Sequence, residues 1–133
     1  YQEIILPAAL NDTNSLAKIF WPGPLTLVVP AKSKITDFLN PGQSTIGIRV
    51  PDCEQARDLL AKTGPLATTS ANLSGEPPLL TPQELNKFSP STPLLGPLPW
   101  PSCSGLASTV IIWEKDSKWK TLRQGSISLD ISD

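Results

Sequence analysis

The chain has 133 residues, 39% of them hydrophobic and 17% charged, with a formal net charge of −1. That balance describes one globular domain with one core and excludes a disordered chain, and no apolar run approaches the roughly 20 residues of a membrane-spanning helix. The scattered, balanced charge excludes a broad phosphate-backbone binder, which needs a basic stripe, but leaves room for a small anion held by one or two cations.

In chain order, Asp12 or Thr13 is placed to cap a helix carrying Leu16, Ile19 and Phe20. "WPGP", Trp21 to Pro24, must end that helix, because two prolines and a glycine cannot continue it. "LTLVV", residues 25–29, predicts a buried strand, followed by a short helix over 35–39 and a turn at "NPGQS". "TIGIRV", residues 45–50, alternates: Ile46, Ile48 and Val50 share one face, and Thr45, Gly47 and Arg49 the other. Asp52 then opens a helix with Gln55 at the capping-box position, closed by Gly64 and Pro65.

"LATT", residues 66–69, predicts the next strand. Thr81, Pro82 and Glu84 form a second capped helix start. The proline-rich stretch from Ser89 to Gly105 reads as an extended loop, long enough to be a lid or a passive connection. Strands over 108–113 and 119–125, joined by a turn near 115–118, complete the pattern. Strands alternating with helices predict an α/β fold with a twisted, at least partly parallel sheet, in which ligands sit beyond strand ends.

The chain contains no histidine, which removes Ser–His and Cys–His nucleophilic pairs and every His-based metal site. Cys53 and Cys103 have no metal-ligand spacing, so no metal site is expected. A reduced, cytoplasmic protein fits two cysteines in a chain that needs no disulfide.

The polar run in "PLATTSANLSGEP" places Ser70, Asn72 and Ser74 just before Gly75. Hydroxyls and an amide in such a loop can donate to phosphate or ribose oxygens; equally, they can satisfy their own turn. Arg49 shares its strand face with Gly47, whose missing side chain lets a ligand approach the sheet. Its guanidinium suits a carboxylate or phosphate, or an open solvated face. Ser108 opens a buried strand and Arg123 stands just before "QG" near the end of the last one, each with an ordinary structural reading beside a ligand-binding one. "WPGPLT" reads as a rigid stop between helix and strand, with Thr26 able to add a hydroxyl. Walker A and GxGxxG fingerprints are missing.

The motifs "WPGPLTLVVP", "TIGIRVP", "PLATTSANLSGEP", "STVI" and "LRQG", in that order, resemble the YrdC/YciO family, which includes threonylcarbamoyl-AMP synthases. The resemblance implies a twisted mixed sheet with flanking helices and a concave ligand cleft. It implies a nucleotidyltransfer in which L-threonine, bicarbonate and ATP with Mg²⁺ give threonylcarbamoyl-AMP and pyrophosphate, for threonylcarbamoyladenosine modification of tRNA. Carried over, Ser70, Asn72, Ser108 and Arg123 would bind ATP or the adenylate, and Arg49 the threonine carboxylate or a neighbouring anion. No tightly bound cofactor and no membrane partner are implied; tRNA or a tRNA-modifying transferase is a possible partner.

The family's earlier Lys-x-Arg pair and its Ser/Thr-rich motif ending in Tyr do not occur in this sequence. Residues 1–133 are therefore read as a single YrdC-like domain lacking its N-terminal portion, an adenylate-binding piece of a synthase. The alternative is a non-catalytic nucleotide- or RNA-binding relative. A carbamoyl-transfer domain of the hydrogenase-maturation type would bring zinc-finger-like cysteines, which this sequence does not have.

Overall fold

The structure, a computed structural model, describes residues 1–100 and 105–129. Cys103 and the last proline of the proline-rich stretch, Pro101, lie outside the described residues.

The core is laid down by alternation in β1 (Leu25–Pro30): Leu25, Leu27 and Val29 are fully buried, and the residues between them are half-buried. Such burial contributes roughly 1.5–3 kcal/mol for each large aliphatic side chain. Ile111 of β3 (Thr109–Lys115) and Ile5 and Ala9 from the N-terminal segment complete the cluster. The helix α1 (Pro7–Phe20) packs on this face of the sheet.

The first helix starts earlier than the sequence suggested. Pro7 presets the helical φ at the first turn, and Ala8, Ala9 and Leu10 are strong helix formers. Thr13, expected as a cap, is instead buried mid-helix, where its hydroxyl donates to the Ala9 carbonyl at 2.7 Å. Asp12 is also mid-helix; its carboxylate accepts from Trp113 Nε1 (2.7 Å) and Ser117 Oγ (2.8 Å).

After β1 come α2 (Ser33–Leu39), β2 (Thr45–Ile48), α3 (Glu54–Thr63) and α4 (Pro82–Phe88), and then β3 and β4 (Lys118–Arg123). Strand order is β2-β1-β3-β4, with β1 parallel to β3 and the outer pairs antiparallel. The mixed sheet with flanking helices expected from the sequence is present. Strand β2 stops at Ile48, because the Val50 carbonyl leaves the ladder and accepts from Gly23 N at 2.9 Å. Asp116 and Ser117, both at positive φ, make the tight turn between β3 and β4.

The "LATT" strand does not form. Residues 66–69 are exposed and, among the described residues, pair with no strand; without a ladder partner the apolar run stays extended. The capping box of α4 forms as predicted, with Thr81, Pro82 and Glu84 in the expected roles.

The described chain falls into two compact units. One holds Tyr1–Cys53 with the described residues from Ala107 onward, including the whole sheet; the other holds the described residues from Glu54 to Leu106.

Candidate functional site

The sheet face opposite α1 is set by register. Val28 lies across from Gly47 on β2 and Ile112 on β3, and Thr26 across from Val110. On β4, Thr121 opposes Ile111, yet Arg123 opposes Val110, so one extra residue, Leu122, is inserted. A bulge of this kind turns the strand and re-aims the side chains beyond it. Here it puts Arg123 across from Val110, at the same end of the sheet as Thr26.

At that end Ser108 is shared. Its hydroxyl lies 2.9 Å from Thr26 Oγ1 and accepts from Arg123 Nη2 at 3.2 Å. Arg123 also donates to the Ser108 carbonyl, from Nε at 3.2 Å and Nη2 at 2.9 Å. Ser108 is buried, while Arg123 remains exposed. The result is an anchored guanidinium beside two hydroxyls, a donor set suited to phosphate or ribose oxygens.

The backbone under this cluster is clamped from below. Thr109, fully buried, donates from Oγ1 to the Ile127 carbonyl (2.6 Å) and accepts from Gly125 N (3.0 Å) and Ile127 N (3.1 Å). Its own N–H donates to the Pro24 carbonyl at 3.0 Å. A Cβ on Gly125 would sit 2.3 Å from the Ala107 carbonyl oxygen, so only glycine lets the chain cross here. Thr109 and Gly125 were not singled out from the sequence for this role. Their signal was the adjacency of "STV" and "RQG" to strand ends, which does not by itself show that the two segments cross.

Arg49 joins the same end through the WPGP turn. Its Nε donates to the Gly23 carbonyl at 3.0 Å, one residue from the Pro24 carbonyl that holds Thr109. Partial burial of the guanidinium pushes its pKa below the ordinary arginine value, and no carboxylate among the described residues offsets this. Arg49 is still an exposed residue, so its partly buried guanidinium, with no acidic partner among the described residues, is open to an anion from solvent. "WPGP" is thus the structural stop read from the sequence and also the hub linking Arg49 to Thr109. Thr26 belongs to the cluster, as its place in "LTLVV", out of phase with Leu25 and Leu27, allowed.

Ser70 and Asn72 lie in the second unit and are described within it. Asn72 Nδ2 donates to the carbonyls of Leu73 (2.9 Å) and Glu76 (2.8 Å), closing its own turn. Ser70 is exposed and, among the described residues, its hydroxyl has no hydrogen-bond partner. The five predicted residues thus divide: Arg49, Ser108 and Arg123 gather at one end of the sheet, and Ser70 and Asn72 lie on a separate loop.

A groove of about 590 Å³ elsewhere in the first unit is lined by Asn11, Asp12, Trp113, Lys115 and Ser117 among others, and by none of the predicted residues. Among the described residues no group of three or more His, Cys, Asp or Glu gathers as a metal site, and no helix is long and apolar enough to cross a membrane.

The profile of the Sua5/YciO/YrdC family, described as telomere recombination, matches residues 5–125. The chain belongs to the Sua5/YciO/YrdC family. It is 40% identical over 77 residues to the threonylcarbamoyl-AMP synthase of Yersinia pestis, an alignment covering 56% of this chain and 40% of that protein. Its fold is similar to a double variant of Pyrococcus abyssi Sua5 (TM-score 0.81, 29% identity, 96% of this chain and 39% of that one). It is also similar to P. abyssi Sua5 complexed with L-threonine (TM-score 0.76, 30% identity, 92% and 36%). The chain spans well under half the length of each of these family members.

Proposed function

We propose that this family member carries the adenylate- and threonine-binding end of a threonylcarbamoyl-AMP synthase. The observation that supports this most is the gathering of Thr26, Ser108 and Arg123 beside the uncompensated Arg49 at one end of the sheet. The relatives named as synthases, and the relative complexed with L-threonine, supply the chemistry.

In this reading Arg49 holds the threonine carboxylate through its guanidinium. The threonine amine condenses with bicarbonate to a carbamate, releasing water. A carbamate oxygen then attacks the α-phosphorus of ATP, the bond to the β-phosphate oxygen breaks, and pyrophosphate leaves. The attacking oxygen is already anionic, so that step needs no general base, which fits a chain without histidine. Arg123, held against Ser108, faces the adenylate with its position fixed before the ligand arrives, and the hydroxyls of Thr26 and Ser108 orient oxygens. Mg²⁺ enters with ATP and neutralises part of its charge. The product supplies threonylcarbamoyl groups for tRNA modification by a separate transferase, in the cytoplasm where ATP and tRNA meet.

The test is pyrophosphate release by the natural protein that contains this sequence, with ATP, bicarbonate and L-threonine each omitted in turn. Release that needs all three supports the synthase reading. Nucleotide binding without release points to the alternative, a non-catalytic nucleotide- or RNA-binding relative.

A further inference from the structure

Gly47 has no structural reason to be glycine. It lies inside β2, where glycine is among the least favourable residues, and it has neither a positive φ nor a backbone clash to require it. Among the described residues outside its own chain neighbours, a Cβ built there would meet two atoms within 4 Å: Thr26 Cγ2 at 3.4 Å and Val28 Cγ2 at 3.9 Å. Beyond those two methyl groups the space is open, and Gly47 is exposed although both its strand neighbours are half-buried.

The surroundings of that gap have a definite chemistry. Thr26 divides its side chain, with Oγ1 against Ser108 and Cγ2 against Gly47. Two methyl groups therefore wall the gap, and among the described residues no polar side-chain atom outside its chain neighbours lies within 4 Å of the missing Cβ. Arg49 follows two residues on, with the same strand phase, about 7 Å along the chain direction. An amino acid of short side chain spans that separation, with its carboxylate at Arg49 and its β-substituent over Gly47.

We propose that Gly47 is a specificity-determining residue for the amino-acid substrate. Its bare backbone is the floor of a slot that takes the β-methyl group of L-threonine, between the methyls of Thr26 and Val28. The inference rests on the threonine-binding reading above and adds to it the selection of the side chain. It makes Thr26 bifunctional, contacting the substrate methyl with one branch and holding Ser108 with the other.

The experiment is calorimetric binding of L-threonine, L-serine and glycine to the natural protein, with thermal unfolding measured in parallel. The variants are Gly47→Ala, Gly47→Val and Thr26→Ser. Gly47→Ala brings only van der Waals contacts and keeps the fold, so it guards against a misfolded valine variant. One methyl group in an apolar slot is worth roughly 10–200-fold in discrimination. We expect Gly47→Val to weaken L-threonine binding by about that factor, Gly47→Ala by less, and both to leave glycine binding within about threefold. Thr26→Ser keeps the hydroxyl and removes the methyl, so it narrows the preference for threonine over serine. Unchanged threonine affinity in folded Gly47→Val, or an equal loss for glycine, overturns the slot while leaving threonine binding intact. A folded wild-type protein that binds no L-threonine overturns the parent reading, and the slot with it.

Discussion

Arg123 reaches back fifteen residues to Ser108 and holds both its carbonyl, at 2.9 and 3.2 Å, and its hydroxyl, at 3.2 Å. The guanidinium is thereby tied to backbone that is itself fixed by Thr109 and Gly125. Its position does not depend on a ligand, so little side-chain entropy is lost when one binds. The β4 bulge makes the contact possible by placing Arg123 across from Val110.

Replacing Ser108 with alanine should separate the two parts of that contact. The carbonyl bonds to Arg123 remain, and the hydroxyl bridge to Thr26 is lost. The stability cost should be about 1 kcal/mol, the usual net value of a hydrogen bond. Adenylate affinity should fall by about tenfold, the equivalent of about 1.4 kcal/mol. Urea unfolding and nucleotide titration on one sample check both numbers; an affinity loss no larger than the error would remove the Ser108 hydroxyl from the site.

Arg49 offers a sharper comparison. Arg49→Lys keeps the charge but loses the planar fork and the Nε bond to Gly23. If a carboxylate is held there by two parallel bonds, Arg49→Lys should weaken L-threonine binding nearly as much as Arg49→Ala, by roughly tenfold or more. Full retention by the lysine variant would mean that only the positive charge matters. Because Arg49 is an exposed residue with no acidic partner among the described residues, neither variant should lose more than about 1 kcal/mol of stability.

The sequence made the sheet legible wherever alternation was strict and a partner existed. Leu25, Leu27 and Val29 show this, as does the Thr81–Glu84 capping box, whose signal is wholly local. It misled at "LATT", where an apolar run resembled a strand but no strand among the described residues pairs with it. It also misled at Asp12 and Thr13, which resemble caps by residue type although Pro7 had already started the helix. At the candidate site, the positions of Arg49 and Ser108 at strand ends were legible, though not what they bind. The joining of Ser108 to Thr26 spans 82 residues, and the Thr109–Gly125 crossing depends on a bulge; neither leaves a local pattern.

The Thr109–Gly125 crossing should be the least tolerant point in the first unit. Thr109→Val preserves shape but leaves the N–H groups of Gly125 and Ile127 without their acceptor, while the Ile127 carbonyl keeps its bond from Gln124 Nε2 at 2.6 Å. Leaving such groups unsatisfied costs about 1–3 kcal/mol each, so a loss of about 3 kcal/mol is expected. Thr109→Ser, which keeps the hydroxyl, should recover most of it. Gly125→Ala should be worse than either, since its Cβ would overlap the backbone of residues 107–109. Denaturant midpoints for the three variants test the order; an alanine at 125 that unfolds like wild type would show that the two segments do not cross as described.

In the second unit, Glu84 reports on its helix start through pH. Its carboxylate accepts from the backbone N–H of Leu80 (3.0 Å) and of Thr81 (2.9 Å), while Thr81 Oγ1 accepts from Glu84 N. The Leu80 bond is the main cause, with Thr81 adding to it, and together they hold the Glu84 carboxyl below its ordinary value. These bonds favour the ionised form, so the folded state releases this proton more readily than the unfolded chain. The stabilisation is therefore fully present above the unfolded value of about 4.3 and is lost as pH falls through the lower folded value. An NMR titration of the Glu84 carboxyl carbon should show a midpoint below that of a free glutamate, and the amide signals of Leu80 and Thr81 should move with the same midpoint. Glu84→Gln should abolish the low-pH transition at those two amides, while its neutral amide oxygen still accepts from them and keeps the capping box closed. If Glu84 titrates at the ordinary glutamate value, or the two amides do not follow it, its side chain does not close the box in solution.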